Sequence, residues 1–313
     1  MLGKTAGGLY WMFRYLERSE NISRLLEAGF RIALTRSRDA DEEWRSILEA
    51  TGSRLAYEAQ YEAYSAENVI DFLLREKTNS SSVMSVVELA RNNARLVRTA
   101  LTREVWEAIN ECWMTLRDLL KKPIKQRELP QALVIIRQQN ALVRGALHGT
   151  MLRNDIYNFC RLGTFIERAD STARILDVKY YVLLPSVSLV GSSLDNVQWE
   201  TILRSVSANR SYRWLNQGNI SPRGIAEFLI LDRRLPRSLA FCGNQIVTNL
   251  QFLEEEYELE YTCTRSAQAI LSKLKSHKID QIFEDGLHQF LKEFIKANNK
   301  LAGEIETDFR FIG

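Results

Sequence analysis

Apolar residues recur along this chain at intervals of three and four, the period of amphipathic helices with one face turned to a core. Between these periodic stretches, Gly, Pro, Ser and Asn gather at 77–82, 121–130, 185–196, 216–222 and 276–280, which predicts helix ends there. The five prolines all fall at such breaks or at helix starts. The pattern predicts an all-α protein. Two helix starts carry their own chemistry. Ser221-Pro222 places a capping hydroxyl before a residue whose missing N–H costs nothing in the first turn. Asp195, with Gln198 three residues on, has the form of a capping box.

The polar positions repeat as well. Residues 15–26 read YLERSENISRLL and residues 165–176 read FIERADSTARIL, with charge, size and order largely kept. Trp44-Arg45-Ser46-Ile47-Leu48 returns as Trp199-Glu200-Thr201-Ile202-Leu203, and Ile70-Asp71-Phe72-Leu73-Leu74 as Ala226-Glu227-Phe228-Leu229-Ile230. Three matches in one order predict two tandem related halves, about 1–150 and 151–313. A helix pair from each half buries more apolar surface by packing across a pseudo-twofold axis than by standing apart. The expected architecture is therefore one large helical bundle forming a single domain over 1–313, its last helices, from about Glu258, packing against the duplicated part.

Bulk properties narrow the function classes. Of 313 residues, 45% are apolar and 26% charged, a globular balance. The net charge of +3 is small and the arginines are scattered among nearly equal carboxylates, which excludes the concentrated basic face of a nucleic-acid groove. Apolar runs such as Tyr180 to Leu184 fall far short of the roughly 18 residues that a membrane span needs. Lys4, Arg14, Glu17 and Arg18 interrupt any signal-peptide core, so a cytoplasmic location is expected. Cys112, Cys160, Cys242 and Cys263 lie far apart without a CxxC pair, and buried free thiols are expected rather than disulfides or zinc.

The repeated stretch supplies the candidate chemistry. On a helix, spacings of three, four and seven bring Glu17, Glu20 or Asn21, and Arg24 to one side, and the second copy does the same with Glu167, Asp170, Ser171 and Arg174. Together with Arg18 and Arg168 they form a polar cluster bordering the faces to be buried. A charge network between the two motif helices is the leading expectation, and a solvated face of local ion pairs is the plainer one. Four carboxylates, Glu17, Glu20, Glu167 and Asp170, would suit a hard cation such as Mg²⁺. The Glu-x-x-His motif of di-iron bundles is absent, the histidines being His148, His277 and His288, and nearby arginines can neutralise the carboxylates without metal. No metal or other cofactor is expected. The same arginines match a carboxylate or phosphate on a ligand. Gly3, Gly7 and Gly8 lack the order of a phosphate loop, and no nucleophile elbow occurs. Lys121-Lys122 and Arg233-Arg234 read as exposed surface.

The run from Leu9 to Asn21, LYWMFRYLERSEN, resembles the opening signature of the bacterial alpha-E domain family. ARNNAR at 90–95, EVWEAIN at 104–110, LGTFIERAD at 162–170, Pro236-Arg237-Ser238 and Gly286-Leu287-His288 are similar to its later motifs in the same order, so the resemblance spans nearly the whole chain. Asn92 and Thr164 depart from that pattern, which has Glu and Arg there. The resemblance implies an all-helical protein encoded beside circularly permuted ATP-grasp ligase-like and transglutaminase-like proteins. It implies a non-catalytic accessory or scaffold with such a protein partner in peptide or amide-bond metabolism, with no nucleic acid or membrane. The alternatives are a subunit binding an amino-acid or peptide substrate through the Glu/Arg cluster, and a carboxylate metal-binding protein.

Overall fold

The computed structural model describes residues 1–33, 40–182, 193–217 and 220–311. Among them every regular element is helical and none is a strand. The first seven α-helices are α1 (Gly3–Ala33), α2 (Ala40–Ala50), α3 (Arg54–Glu58), α4 (Ala66–Leu74), α5 (Val83–Leu96), α6 (Arg103–Leu119) and α7 (Leu129–Thr150). The next four are α8 (Asp155–Val182), α9 (Ser193–Ser205), α10 (Asn209–Leu215) and α11 (Pro222–Ile230). The chain continues through α12 (Leu239–Tyr257), α13 (Thr262–Ser276), α14 (Ile279–Glu284) and α15 (Leu287–Asp308).

Side-chain hydroxyls start many of these helices by accepting an N–H that would otherwise lack a partner. Ser221 accepts from Gly224 N at 3.1 Å with Pro222 in the first turn, as the sequence predicts. Ser65, Ser82, Thr102 and Ser238 do the same for α4, α5, α6 and α12. Asp195 is not a cap, because α9 is already helical from Ser193 and Asp195 falls inside its first turn. The breaks at 77–82, 216–222 and 276–280 fall at helix boundaries, and 121–130 reaches into the first turn of α7. The stretch 183–192, most of the break at 185–196, lies outside the described residues. Five further breaks among the described residues, at 59–65, 97–102, 151–154, 206–208 and 258–261, lack a glycine or proline. In the second, a 3₁₀ turn at Arg98–Ala100 and the Thr102 cap end one helix and start the next.

The long helices α1 and α8 pack against each other and organise the rest. Helix α5 flanks α1 and α12 flanks α8; α7 lies on α1 and α15 on α8. Helix α6 joins α5 to α7, and α13 joins α12 to α15. Helix α2 crosses to α8 and α9 crosses to α1. The core runs along the central pair, with Leu9, Tyr10, Met12 and Phe13 of α1 and Phe159, Leu162, Phe165 and Ile166 of α8 buried. At Gly163 a Cβ atom would meet the Tyr10 carbonyl oxygen at 2.1 Å, so the two backbones touch where no side chain fits. The four cysteines are free and buried. No helix among the described residues is long and apolar enough to cross a membrane.

Candidate functional site

The contact between α1 and α8 places the repeated polar residues face to face. Glu17 and Arg168 form a two-point pair, Arg168 donating from Nε and Nη2 at 2.8 Å each. Reciprocally, Arg18 donates from Nε and Nη2 to Glu167 at 2.5 and 3.0 Å. The only two Glu-Arg dipeptides in the chain thus clasp each other, in the forked geometry that gives guanidinium–carboxylate pairs their strength.

More arginines close on this core. Arg14 donates to Glu167 at 3.0 Å while its guanidinium lies over the Trp11 ring at 4.4 Å. Glu20, fully buried, receives Arg24 from the next turn at 2.7 Å, Arg237 at 2.6 Å and Arg144. Arg237 also reaches Glu17 at 3.1 Å and donates to Asn21 Oδ1 at 3.1 Å, while Asn21 Nδ2 donates to the Glu167 carbonyl at 3.4 Å. Arg24 spends Nη1 on the Ser205 carbonyl at 2.7 Å and so finishes the last turn of α9.

Burial alone would raise the pKa of Glu17, but the Arg168 and Arg237 guanidiniums outweigh it and hold the carboxyl far below the usual range. For Glu20 burial is again outweighed, chiefly by Arg237, and its pKa falls to about 2. Arg18 and Arg14 likewise overcome burial at Glu167 and lower it. Arg237 moves the other way: burial and repulsion from Arg24 bring it down to about 10, which leaves it charged at neutral pH. The connected network sets three carboxylates, Glu17, Glu20 and Glu167, against six guanidiniums, Arg14, Arg18, Arg24, Arg144, Arg168 and Arg237. Every one of these carboxylates is ionised and engaged by two or more arginines, so none is placed to take a proton from a substrate near neutral pH.

Asp170 and Arg174 stand to one side of this network. They pair with each other at 2.6 Å and line a cavity that also reaches Arg18 and Glu167. Burial raises the Asp170 pKa against the pull of Arg174. The four carboxylates considered as metal ligands do not converge, since Glu17, Glu20 and Glu167 are turned onto guanidiniums. Among the described residues no group of three or more His, Cys, Asp or Glu is arranged to hold a metal.

All nine residues of the predicted cluster thus lie along the α1–α8 contact, seven of them and Arg14, Arg144 and Arg237 in one network and Asp170 and Arg174 beside it. Those last three arginines were not in the predicted cluster. Arg144 comes from mid-α7 with no local mark. Arg14 and Arg237 did have a signal, since both lie in short motifs that carry the family resemblance. Thr164, where that resemblance has Arg, is buried and donates to the Cys160 carbonyl at 3.0 Å.

The family pattern named Alpha-E, a predicted alpha-helical domain with a conserved ER motif, matches residues 1–309. The chain belongs to this family. Comparisons with curated proteins and with solved structures return no match.

Proposed function

From its membership of the Alpha-E family, we propose that this protein is a non-catalytic helical accessory or scaffold that works with an ATP-grasp ligase-like partner in peptide or amide-bond metabolism. A transglutaminase-like protein is the other partner its family resemblance implies. The observation that carries the non-catalytic part is the reciprocal clasp of Glu17 with Arg168 and Arg18 with Glu167, which commits the motif to holding two helices together. A surface suited to a protein contact also exists. Trp214 on α10 is 90% exposed and Leu215 beside it is 49% exposed, and exposed tryptophans are frequent anchors of interfaces.

We also propose that the bundle is a tandem duplication with pseudo-twofold symmetry. The flanking pairs α1 with α5 and α8 with α12, and the pairs α1 with α7 and α8 with α15, support this reading. So do the caps: Ser65 and Ser82 of the first half stand 156 residues before Ser221 and Ser238 of the second.

Affinity purification of the tagged full chain, co-expressed with the ATP-grasp ligase-like protein, tests the partner. Retention through a salt wash, with loss in a Trp214→Ala variant that stays folded, is the expected result. Absence of the ligase-like protein from the eluate while both proteins are soluble and folded would overturn the proposed partnership.

A further inference from the structure

The two copies of the motif are used unequally, and the difference is a cavity. Glu20 and Arg24 in α1 match Asp170 and Arg174 in α8, each an acid four residues before an arginine. Glu20 receives Arg237 and Arg144 in addition to its own Arg24. Asp170 receives Arg174 alone, on Oδ2, and its Oδ1 is buried without a hydrogen-bond partner. The neighbouring Ser171 hydroxyl, 5% exposed as a residue, also lacks a partner.

The cause lies at the start of the flanking helices. Arg237 directly precedes Ser238, the cap of α12, and from there reaches into the network. Ser81 directly precedes Ser82, the cap of α5, and is too short to do so. What it leaves is a cavity of about 230 Å³, with Ser81, Asp170, Ser171 and Arg174 in its wall. That is many times the roughly 30 Å³ share of one water molecule and just under the roughly 300–1,000 Å³ of drug-sized sites. Ile22 and Leu25 add an apolar wall.

We infer that this cavity binds a free α-amino acid, its ammonium group donating to Asp170 and the Ser171 hydroxyl and its carboxylate accepting from Arg174 and Arg18. Charge decides for a zwitterion. Glu167 is already satisfied by Arg14 and Arg18, so the groups with bonding capacity left are the Asp170 Oδ1 and the Ser171 hydroxyl, which lie just beneath the cavity wall and which the ligand must turn outward, and the terminal nitrogens of Arg174, which meets Asp170 through Nε only. An anion alone would leave the Asp170 oxygen unpaired, and an amine alone would add positive charge to a wall where three guanidiniums, Arg14, Arg18 and Arg174, already outnumber two carboxylates, Glu167 and Asp170. A molecule carrying both charges satisfies both walls. Arg174 and Arg18, with side chains 29% and 26% exposed, stand at the mouth, and Asp170 and Ser171 lie deeper. The ligand enters amine first, its aliphatic part against Ile22 and Leu25. This inference is independent of the proposed partnership and is tested on the chain alone.

The experiment is calorimetric titration of the full chain with each proteinogenic L-amino acid in turn. The expected result is a saturable one-to-one isotherm for at least one of them. Its decarboxylated amine and its deaminated acid should each bind about tenfold more weakly or worse, a loss of about 1.4 kcal/mol. Ser81→Arg, which places a guanidinium where Arg237 stands in the other half, should abolish the isotherm without lowering the melting temperature. Asp170→Asn and Arg174→Gln, which crowd nothing, should each weaken binding about tenfold. The inference is overturned if no amino acid gives an isotherm, if either single-charge analogue binds as tightly as the parent, or if binding survives unchanged in Asp170→Asn and Arg174→Gln.

Discussion

Glu17 is 2% exposed and faces Arg168, Arg237 and, at 3.8 Å, Arg144. Changing it to Gln keeps the shape and removes the charge, which leaves buried guanidiniums without their counter-ion. Breaking a buried pair in this way costs roughly 3–5 kcal/mol, against roughly 0–1 kcal/mol for an exposed pair. Urea unfolding of Glu17→Gln should therefore show a loss in the larger range, and a loss under about 1 kcal/mol would contradict the burial seen here. Asp170→Asn should behave oppositely. Its carboxyl is held above its ordinary pKa, so ionisation opposes folding there, and without ligand the neutral amide should leave stability unchanged or raise it. The pH dependence follows with its sign. Glu20 has an ordinary value of 4.5 and a folded value of about 2, so its contribution is complete above pH 4.5 and is lost as pH falls toward 2. His148, although exposed, is pushed from 6.5 to about 4 by partial loss of hydration among its neighbours and by repulsion from Arg161, Arg153, Arg144 and Arg168. Its neutral form therefore favours folding above pH 6.5, and that contribution fades between 6.5 and 4, earlier than the carboxylates. Proton NMR titration of the imidazole checks the value directly.

Helices meet in this protein at positions that only small residues permit. Gly163→Ala would drive a methyl group into the Tyr10 carbonyl, which belongs to a rigid helix backbone, so α1 and α8 must separate. Overpacking of this kind typically costs about 1–3 kcal/mol, and the strain should spread to the nearby clasp. Thermal unfolding measures the first effect, and exchange of the α1 and α8 amides no faster than in the parent protein would contradict the second. At this scale the sequence was readable where local chemistry decides. The proline-led start of α11 and four of the five expected breaks follow from capping and turn residues, and the free cysteines from their spacing. Asp195 misled because a cap-like spacing recurs inside helices. The break at 97–102 was hidden because Thr102 caps α6 without help from glycine or proline. Partners from distant helices, such as Arg144, left no trace in local pattern, since only the packing of α7 on α1 brings that side chain to Glu20.

Across the whole molecule the repeat was the most legible feature, because two copies within one chain can be compared without any relative. It led to the expectation of a charge network between the two motif helices, and Glu17, Arg18, Glu167 and Arg168 do pair across α1 and α8; it held no sign of the cavity, which depends on Ser81 lacking a reach that Arg237 has. The packing has a consequence for dissection. In residues 1–150 alone, Arg18 and Arg14 would lose Glu167, and the apolar face of α1 would lose α8. That fragment should lack a cooperative thermal transition by circular dichroism, and a sharp transition would show that the first half folds unaided. The four thiols add a means of watching such events. Cys112 and Cys242 are raised to about 12, and Cys160 and Cys263 are raised as well, in each case first by burial. At neutral pH they are protonated and shielded, and therefore silent toward alkylating reagents. They sit on α6, α12, α8 and α13, so each sulfur becomes reactive only when its own neighbourhood opens. The rate at which each one takes up a mass label would rank the regions of the bundle by how often they breathe, with no engineered probe at all.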